Sequence, residues 1–303
     1  MIIAITGGSG FIGKRLVNHH IQQGDRVRLL SRKPLLKDTS VQYFFGDLSN
    51  PGVDLASFVD NVDILYHCAG EVNNEFLMQE LHVNGTQRLI DAAQGKIGRW
   101  VQLSSVGVYG TCQDGTITEN SKEQPFGIYE RTKTESDKIV KNSGISYVIL
   151  RPSNVFGMEM TNQSLFQLIH MINKGLFFYL GREGVLVNYI DVKDVVEALF
   201  LCGNHHNAPG KVYNLSQTIT LEKMVLAFSL GLGVKNKFLR LPEVPIRALV
   251  KIFTIFFKPP LTSTRIDALT NRCTYKSNKI IEELNFEFKS TLEGSFQLIA
   301  EKK

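Results

Sequence analysis

The sequence predicts an α/β fold, in which a doubly wound parallel sheet is joined to a smaller, mainly helical lobe. Two observations in the first half of the chain predict the sheet. Short apolar runs, suited to buried strands, alternate with longer amphipathic stretches that suit helices. The first run also passes into a glycine-rich turn at the start of a helical stretch. Beyond Phe156 the alternation becomes irregular, and this change indicates the second lobe.

The individual elements follow from the same pattern in chain order. The predicted strands are short apolar runs: MIIAIT, RVRLLS, VQYFFGD, VDILYHCAG, RWVQLSS and SYVILRPSN. Helical spacing predicts helices over 11–23, about 75–93, about 128–142 and 163–173. VNYIDVKDVVEALFLC predicts a strand entering a helix, and KVYNLS a strand that returns to the main sheet. We therefore expect a first domain of residues 1–155 plus about 188–215, and a substrate-binding lobe of 156–187 and 216–303.

The composition is that of an ordinary globular chain. Of 303 residues, 43% are hydrophobic and 21% are charged, with a net charge of +5. The basic residues form no stripe interleaved with aromatic residues, so we expect no nucleic-acid partner. The four cysteines are far apart in sequence and form no C-x-x-C pair, which favours a reducing compartment without disulfides or a metal site. No basic segment precedes the apolar start, so we expect no signal peptide and a cytoplasmic location.

One apolar stretch, VPIRALVKIFTIFF at 244–257, raises the question of membrane association. It is too short to span a bilayer and contains Arg247 and Lys251. Its apolar residues follow helical spacing and would form one face. We expect a helix packed on its own lobe, and an interfacial membrane helix is the less favoured alternative.

The glycine-rich turn TGGSGFIG places glycines at positions 7, 10 and 13, between the first strand and the first helix. At such a junction one glycine permits the tight turn, and another lets backbone N–H groups approach a pyrophosphate. A third lets the helix lie close to the sheet. The helix N-terminus adds donors and positive potential for the anion. The turn therefore predicts dinucleotide binding.

This turn and seven later motifs resemble the extended short-chain dehydrogenase/reductase family, the group of NAD(P)-dependent sugar epimerases and dehydratases. The later motifs, in the family's order, are GDLSN, HCAG, VNGT, SSVGVYG, Tyr129-x-x-x-Lys133, LRPSNVFG and NYIDVKDVVEA. The resemblance implies a Rossmann-type fold and a homodimer formed through the helices near 75–93 and 128–142. It implies that the cofactor is contacted by Gly7, Gly10, Phe11, Ile12, Gly13, Asp47, Leu48, Cys68, Ala69, Gly70, Tyr129 and Lys133.

The end of the second strand favours NADP(H) over NAD(H), which remains possible. In NAD binders of this fold an acidic residue after this strand accepts hydrogen bonds from the ribose diol. Here the strand ends Leu30-Ser31-Arg32-Lys33, without an acid. Arg32 can bind a 2′-phosphate through two hydrogen bonds, and Lys33 adds positive charge.

The candidate catalytic residues are Ser105, Tyr129 and Lys133. Tyr129 and Lys133 are four residues apart and share one face of a helix. The resemblance assigns Ser105, rather than Ser104, as the hydroxyl residue at the end of the fifth strand. A lysine ammonium and an oxidised nicotinamide would lower the tyrosine pKa, so that Tyr129 exchanges the substrate's hydroxyl proton during hydride transfer. Ser105 would hydrogen-bond the reacting oxygen.

The sequence lacks the residues that two reaction types of this family require, 4,6-dehydration and 3,5-epimerisation. The 4,6-dehydratases of this family carry an Asp-Glu pair directly after the hydroxyl residue, whereas Val106 and Gly107 stand here. Cys112 is displaced from the position that 3,5-epimerising members would require.

The first hypothesis is an NADPH-dependent reductase of a nucleotide-linked 4-keto sugar, and the second is a nucleotide-sugar 4-epimerase with retained cofactor. Further alternatives are a 3β-hydroxysteroid dehydrogenase-like enzyme and a non-catalytic cofactor-binding module.

The substrate site is predicted from two residues. Asn154 in LRPSNVFG stands where the resemblance places an amide at the substrate diphosphate. Arg182 in LGREG could supply a positive charge, because Val187 stands where related 4-epimerases often carry an arginine. The family's usual asparagine before Val-x-Gly-Thr is also replaced, by His82.

Overall fold

A seven-stranded parallel sheet forms the centre of the molecule. The computed structural model describes residues 1–32, 40–160, 163–256, 266–267 and 269–302. Every neighbouring pair in the sheet is parallel, and the spatial order is β11-β7-β5-β4-β1-β2-β3. The strands are β1 Ile2–Thr6, β2 Arg26–Ser31, β3 Val41–Phe45, β4 Val62–His67, β5 Ile97–Leu103, β7 Tyr147–Pro152 and β11 Lys211–Leu215.

Helices cover both faces of this sheet, because the strands bury side chains on both sides. On β1, Ile3 and Ile5 belong to one apolar cluster and Ala4 belongs to the other. The first cluster packs against α1 Gly13–Gln22 and α7 Val192–Asn204, and the second against α2 Ala56–Val59, α4 Gly85–Ala93 and α5 Ile128–Asn142. The predicted doubly wound fold is confirmed, and KVYNLS joins the main sheet as β11 beside β7.

The helix predicted over about 75–93 consists of three segments. α3 Glu75–Met78 leads into a π-helical turn, Gln79–Asn84, and α4 then completes the helix. A π-helical turn carries an extra residue and is frequent at functional sites. The predicted helix over 128–142 is continuous, as α5. A 3₁₀ turn, Val106–Tyr109, follows β5.

The remainder of the chain combines helices with short strands, so it is less uniformly helical than the sequence predicts. A third apolar cluster includes Phe156, Phe228 and Phe296. The helices are α6 Ser164–Asn173, α8 Leu221–Leu232, α9 Glu243–Phe256, α10 Asn278–Leu284 and α11 Leu292–Glu301. The strands are β6 Asp114–Ile117, β8 Asn154–Phe156, β9 Tyr179–Leu180, β10 Leu186–Asp191, β12 Gln217–Thr220, β13 Arg240–Leu241 and β14 Arg272–Tyr275.

Two details connect this region to the main sheet. The predicted strand SYVILRPSN is divided at Ser153, where the chain passes from β7 in the main sheet to β8 beside β10. The short strand β14 pairs with β6, which lies shortly after β5. The third apolar cluster, which includes Phe156 on β8, therefore begins just beyond the carboxyl end of β7.

Helix α9 contains most of the apolar stretch 244–257, for which membrane association was the less favoured alternative. Val250 is buried with Leu180 and Ile266, and Ile246 packs partly against them, whereas Val244 is exposed. No helix within the described ranges is both long and apolar enough to cross a bilayer.

Gly7 allows the first strand to approach the end of β4. Its backbone has a φ of +70°, and a Cβ there would lie 2.6 Å from the amide nitrogen of Ala69. A side chain at this position is therefore disfavoured both by backbone conformation and by direct collision.

We predict that Gly7→Ala destabilises the protein substantially more than Gly24→Ala. Gly24 has a similar φ of +78°, but a Cβ there would meet no atom within 4 Å. Backbone strain should cost about 1–2 kcal/mol at either site, and overpacking should add about 1–3 kcal/mol at Gly7. Urea unfolding of the two variants measures the difference, and equal losses would show that the contact with Ala69 is unimportant.

Candidate active site

The predicted site residues follow the carboxyl ends of four adjacent strands. The glycine turn follows β1, Cys68 to Gly70 follow β4, Ser105 follows β5, and Asn154 follows β7. The strand order reverses between β1 and β4, because β2 and β3 lie on one side of β1 and the later strands lie on the other. In open α/β sheets a crevice forms outside the strand ends at such a point, and ligands bind there.

The glycine turn has the form of an anion-binding loop. Gly10 is exposed, and its N–H donates to the Gly7 carbonyl over 2.9 Å. A Cβ on Gly13 would lie 2.3 Å from that same carbonyl oxygen, so only glycine lets α1 begin this close to β1. Helix α1 has no side-chain cap at Ile12 and no acid in its first turn. The N–H groups of Lys14 and Arg15 already donate to the carbonyls of Gly10 and Ile12, so an anion would be bound by the N–H groups that precede Lys14.

The other predicted cofactor residues differ in how exposed their side chains are. Arg32 is exposed at the end of β2, whereas Lys33 lies outside the described residues. Asp47 is half-buried and accepts hydrogen bonds from the backbone and hydroxyl of Ser49, at 2.9 and 2.7 Å. Leu48 has its side chain in the core, so it could meet an adenine only through its backbone.

Exposure increases along the segment that follows β4. His67 is buried, Cys68 and Ala69 are half-buried, and Gly70 is exposed. The N–H of Cys68 donates to the Thr6 carbonyl, which continues the parallel pairing up to the crevice. Burial raises the pKa of the Cys68 thiol to about 12 and keeps it protonated at neutral pH. The segment is placed to line a ligand with backbone and small side chains.

The catalytic candidates meet at the end of β5. Lys133 is buried, and its ammonium donates to the carbonyl of Leu103 over 2.6 Å. Leu103 is the last residue of β5 and precedes Ser105 by two positions. The Ser105 hydroxyl caps the following 3₁₀ turn by accepting from the Gly107 N–H at 3.0 Å, so its proton remains available for another acceptor. Tyr129 is half-buried, one helical turn before Lys133 on α5.

Lys133 by itself does not lower the Tyr129 pKa, and the predicted lowering also required the charge of an oxidised nicotinamide. Burial raises the pKa of Tyr129 to about 12, and the carboxylates of Glu130 and Asp137 act in the same direction. Lys133 donates to a carbonyl instead of to the phenol, and burial lowers the pKa of the lysine itself. The phenol is therefore protonated at neutral pH.

A buried ionic cluster beneath Lys133 was not predicted from the sequence. Asp137 follows Lys133 by one helical turn and accepts from Arg151 at 2.9 and 3.2 Å and from Ser104 at 2.9 Å. Arg151 also donates to Glu123 and to the Tyr109 hydroxyl. Asp137 helps to keep the Lys133 ammonium charged against burial. The four-residue spacing from Lys133 to Asp137 was the only signal in the sequence.

The two predicted substrate residues lie on different segments. Asn154 is exposed, and its side-chain amide donates to the backbone carbonyl of Asn188 on β10 over 3.1 Å. Arg182 is exposed on the turn between β9 and β10, and makes no hydrogen bond or ion pair within the part of the chain that the structure describes. Both side chains are therefore accessible from solvent.

Two buried histidines connect the glycine turn to α5, and sequence reasoning assigned a role to neither. The Nδ1 atom of His67 lies 2.7 Å from the Thr6 hydroxyl, and its Nε2 lies 3.0 Å from that of Thr86. His82 lies in the π-helical turn beside Tyr129, with the two ring centroids 5.6 Å apart. Burial lowers the pKa of each histidine to about 3, and the Lys133 ammonium acts in the same direction.

Comparisons with known proteins agree with this geometry. The model of the NAD dependent epimerase/dehydratase family matches residues 3–216. A UDP-glucose 4-epimerase of Vibrio cholerae is 24% identical, over 99% of this chain and 94% of that protein. A short-chain dehydrogenase/reductase superfamily protein of Agrobacterium tumefaciens, solved with bound NAD, has a TM-score of 0.77 at 20% identity, covering 99% of this chain and 96% of that one. RMD of Pseudomonas aeruginosa, complexed with NADPH, has a TM-score of 0.71 at 19% identity, covering 100% and 99%.

We predict that the free energy of unfolding falls as the pH is lowered from about 6.5. His67 and His82 stay neutral in the folded state down to pH values near 3 but take up a proton near 6.5 once unfolded. Each should remove about 1.4 kcal/mol of stability per pH unit within this window. Urea unfolding at pH 7, 6 and 5 measures the slope. His67→Asn should reduce it, His206→Asn at an exposed position should not, and identical slopes in all three proteins would contradict the prediction.

Proposed function

This chain belongs to the NAD-dependent epimerase/dehydratase family, and we propose that it is an NADP(H)-dependent reductase of a nucleotide-linked 4-keto sugar. One observation carries the proposal. The Lys133 ammonium is bonded to the carbonyl that ends β5, so Tyr129 on the same helix face stands close to the chain segment bearing Ser105. The chain is a short-chain dehydrogenase/reductase enzyme, and a nicotinamide dinucleotide is its cofactor class.

The residues of the glycine turn fit such a cofactor. The exposed Gly10, the uncapped N-terminus of α1 and the close packing at Gly7 and Gly13 together leave room and donors for a pyrophosphate. The bound dinucleotide would supply the hydride. We propose that Arg32 binds the 2′-phosphate of NADP(H), because the sequence carries no acid directly after β2, where NAD binders of this fold have one. The Glu71 carboxylate, whose pKa Arg32 helps to lower, is a competing partner that the phosphate would have to displace.

The chain's own residues supply the proton and orient the substrate. Tyr129 is protonated at neutral pH, so it can donate its proton to the oxygen of a ketone as that oxygen becomes an alkoxide. Ser105 can donate a hydrogen bond to the same oxygen and hold it in position. Lys133, kept charged by Asp137, stabilises the phenolate that remains. A phenol that rests in its protonated form suits reduction better than oxidation, which requires a base first.

The contacts to the rest of the substrate are proposed from position and charge. Asn154 is exposed beside β10 and retains one amide N–H for a diphosphate oxygen. Arg182 is exposed and able to add a positive charge. Val106 and Gly107 place no acid or base after Ser105, which is consistent with reduction or epimerisation and not with elimination of water.

A 4-epimerase is the second candidate, because the Vibrio cholerae UDP-glucose 4-epimerase aligns over nearly the whole chain. An epimerase retains its cofactor, so it forms an epimer without net loss of NADPH.

We also retain a cytoplasmic homodimer as a proposal. The helices predicted to form it, over 75–93 and 128–142, expose polar residues such as Gln87 and Glu135 and also the apolar side chains of Phe76 and Ile128, so such an interface would combine polar and apolar contacts.

We predict that purified protein consumes NADPH stoichiometrically with a nucleotide-linked 4-keto hexose, as followed at 340 nm. Tyr129→Phe should lower kcat by about 10²–10⁴-fold, because the proton donor is lost while the ring is retained. Tyr147→Phe removes the hydroxyl of a half-buried tyrosine at the amino end of β7, opposite the carboxyl ends that form the site, and serves as the control. Epimer formation at constant NADPH would favour the epimerase instead, and full activity of Tyr129→Phe would refute the assigned role.

We predict that Arg32→Asp weakens NADPH binding by about 10–100-fold, the loss expected for a charged hydrogen bond, while NADH binding changes much less. Nucleotide fluorescence titration measures both dissociation constants. Arg26→Asp places the same substitution at the opposite, exposed end of β2 and should leave both unchanged. Equal NADPH and NADH affinities that Arg32→Asp does not alter would remove the basis for NADP(H) preference.

A further inference from the structure

His82 occupies an unusual position between three parts of the candidate site. It lies in the π-helical turn Gln79–Asn84, and its side chain is buried. One side of its ring faces the segment after β4, where a Cβ on Gly70 would lie 3.6 Å from Nε2. The other side faces α5, and the ring meets that of Tyr129 edge to face at an interplanar angle of 83°.

The hydrogen bonds of His82 fix its tautomer. Nε2 lies 2.8 Å from the backbone nitrogen of Glu71, and because a backbone N–H can only donate, Nε2 must accept. The ring proton is therefore on Nδ1, which lies 2.8 Å from the Thr132 hydroxyl and donates to it. The Thr132 hydroxyl in turn donates hydrogen bonds to the carbonyls of Ile128 and Tyr129, each at 3.0 Å. Every donor in this chain of bonds points from Glu71 towards the start of α5.

This series of hydrogen bonds joins the segment after β4 to helix α5, and His82 is its middle member. Glu71 opens the segment after Gly70, and its carboxylate accepts from the backbone N–H groups of Val72, Asn73 and Asn74, at 2.8–3.1 Å. That carboxylate therefore holds the segment 71–74 in one conformation, and His82 ties the segment to the helix bearing Tyr129. An imidazolium could not accept from Glu71, and it would also repel the nearby Lys133 ammonium.

We propose that His82 is a positioning residue for Tyr129, which holds the first turn of α5 and the phenol ring in fixed register with the segment 70–74 through Thr132. The inference rests on the proposed role of Tyr129 as proton donor. It assigns a function to a histidine outside the proposed Ser105, Tyr129 and Lys133 set, and it gives the π-helical turn at this point a role. The turn brings the His82 ring to both partners at once.

The test uses matched threonine variants on α5. Thr132 and Thr134 are both buried, and each donates to the carbonyl four residues earlier, but Thr132 alone of the two bonds His82. Thr132→Val should lower kcat for NADPH oxidation with a nucleotide-linked 4-keto hexose at least tenfold, with KM within threefold. Thr134→Val should match the wild type. Equal kcat values for the two variants would overturn the proposal.

Variants of His82 separate the ring from its hydrogen bonds. His82→Phe keeps an aromatic ring beside Tyr129 and removes both bonds, so kcat should fall as in Thr132→Val. Combining the two substitutions should lower kcat little further, because both break one path. Wild-type kcat in His82→Phe, or a double variant with multiplied losses, would contradict a shared path. Thermal melting confirms that each variant is folded.

A measurement without substrate distinguishes failure of this inference from failure of the proposed reaction. Nitrogen-15 NMR of the histidine ring should show the Nδ1–H tautomer between pH 5 and 8. The Glu71 amide should exchange at least tenfold faster in His82→Phe than in the wild type. An Nε2–H tautomer or unchanged exchange would refute the tether, whatever the enzyme's substrate. Intact tethering in an enzyme whose Tyr129→Phe variant is fully active would instead refute the catalytic role of Tyr129.

Discussion

The hydrogen bond from the Lys133 ammonium to the Leu103 carbonyl is the contact on which the arrangement of the site depends. It joins α5 to the last residue of β5 over 2.6 Å. A buried ammonium is stable only if it is paired and hydrogen-bonded. The Asp137 carboxylate, held by Arg151 and Ser104, provides the charge that this burial requires. The helix therefore cannot slide or rotate along the sheet without exposing a charge to an apolar interior.

This fixed helix determines the electrostatics of its neighbours. Lys133 contributes to keeping His67 and His82 neutral, since a second positive charge in the same buried region would be repelled. Neutral histidines can accept as well as donate: His67 lies between two threonine hydroxyls, and His82 lies between the Glu71 backbone N–H and the Thr132 hydroxyl. The same burial raises the pKa of Tyr129, so that the phenol begins as an acid. Burial thus sets the protonation of all three groups, and the Lys133 ammonium adds to its effect on the two histidines.

Much of the fold and part of the site could be predicted because their signals are local. The alternation of apolar runs with helical spacing located the strands of the main sheet, and α5 was predicted with its observed bounds of 128 and 142. The glycines at positions 7 and 13 were predicted to permit close approach, and the distances from their would-be Cβ atoms to the neighbouring backbone agree. Other features had no local signal. The burial of the Leu48 side chain, for example, depends on α2 and α4 packing over it.

The sequence by itself determined the parallel sheet, the glycine turn at its centre and the family, because periodicity and motif order are properties of short segments. Only the tertiary structure decided the partners of Lys133, the tautomer of His82 and the direction of the Tyr129 pKa shift. Each of these depends on desolvation and on hydrogen bonds between residues that are between 11 and 50 positions apart in the chain. Such contacts exist only when distant segments pack together, and burial then gives them their strength.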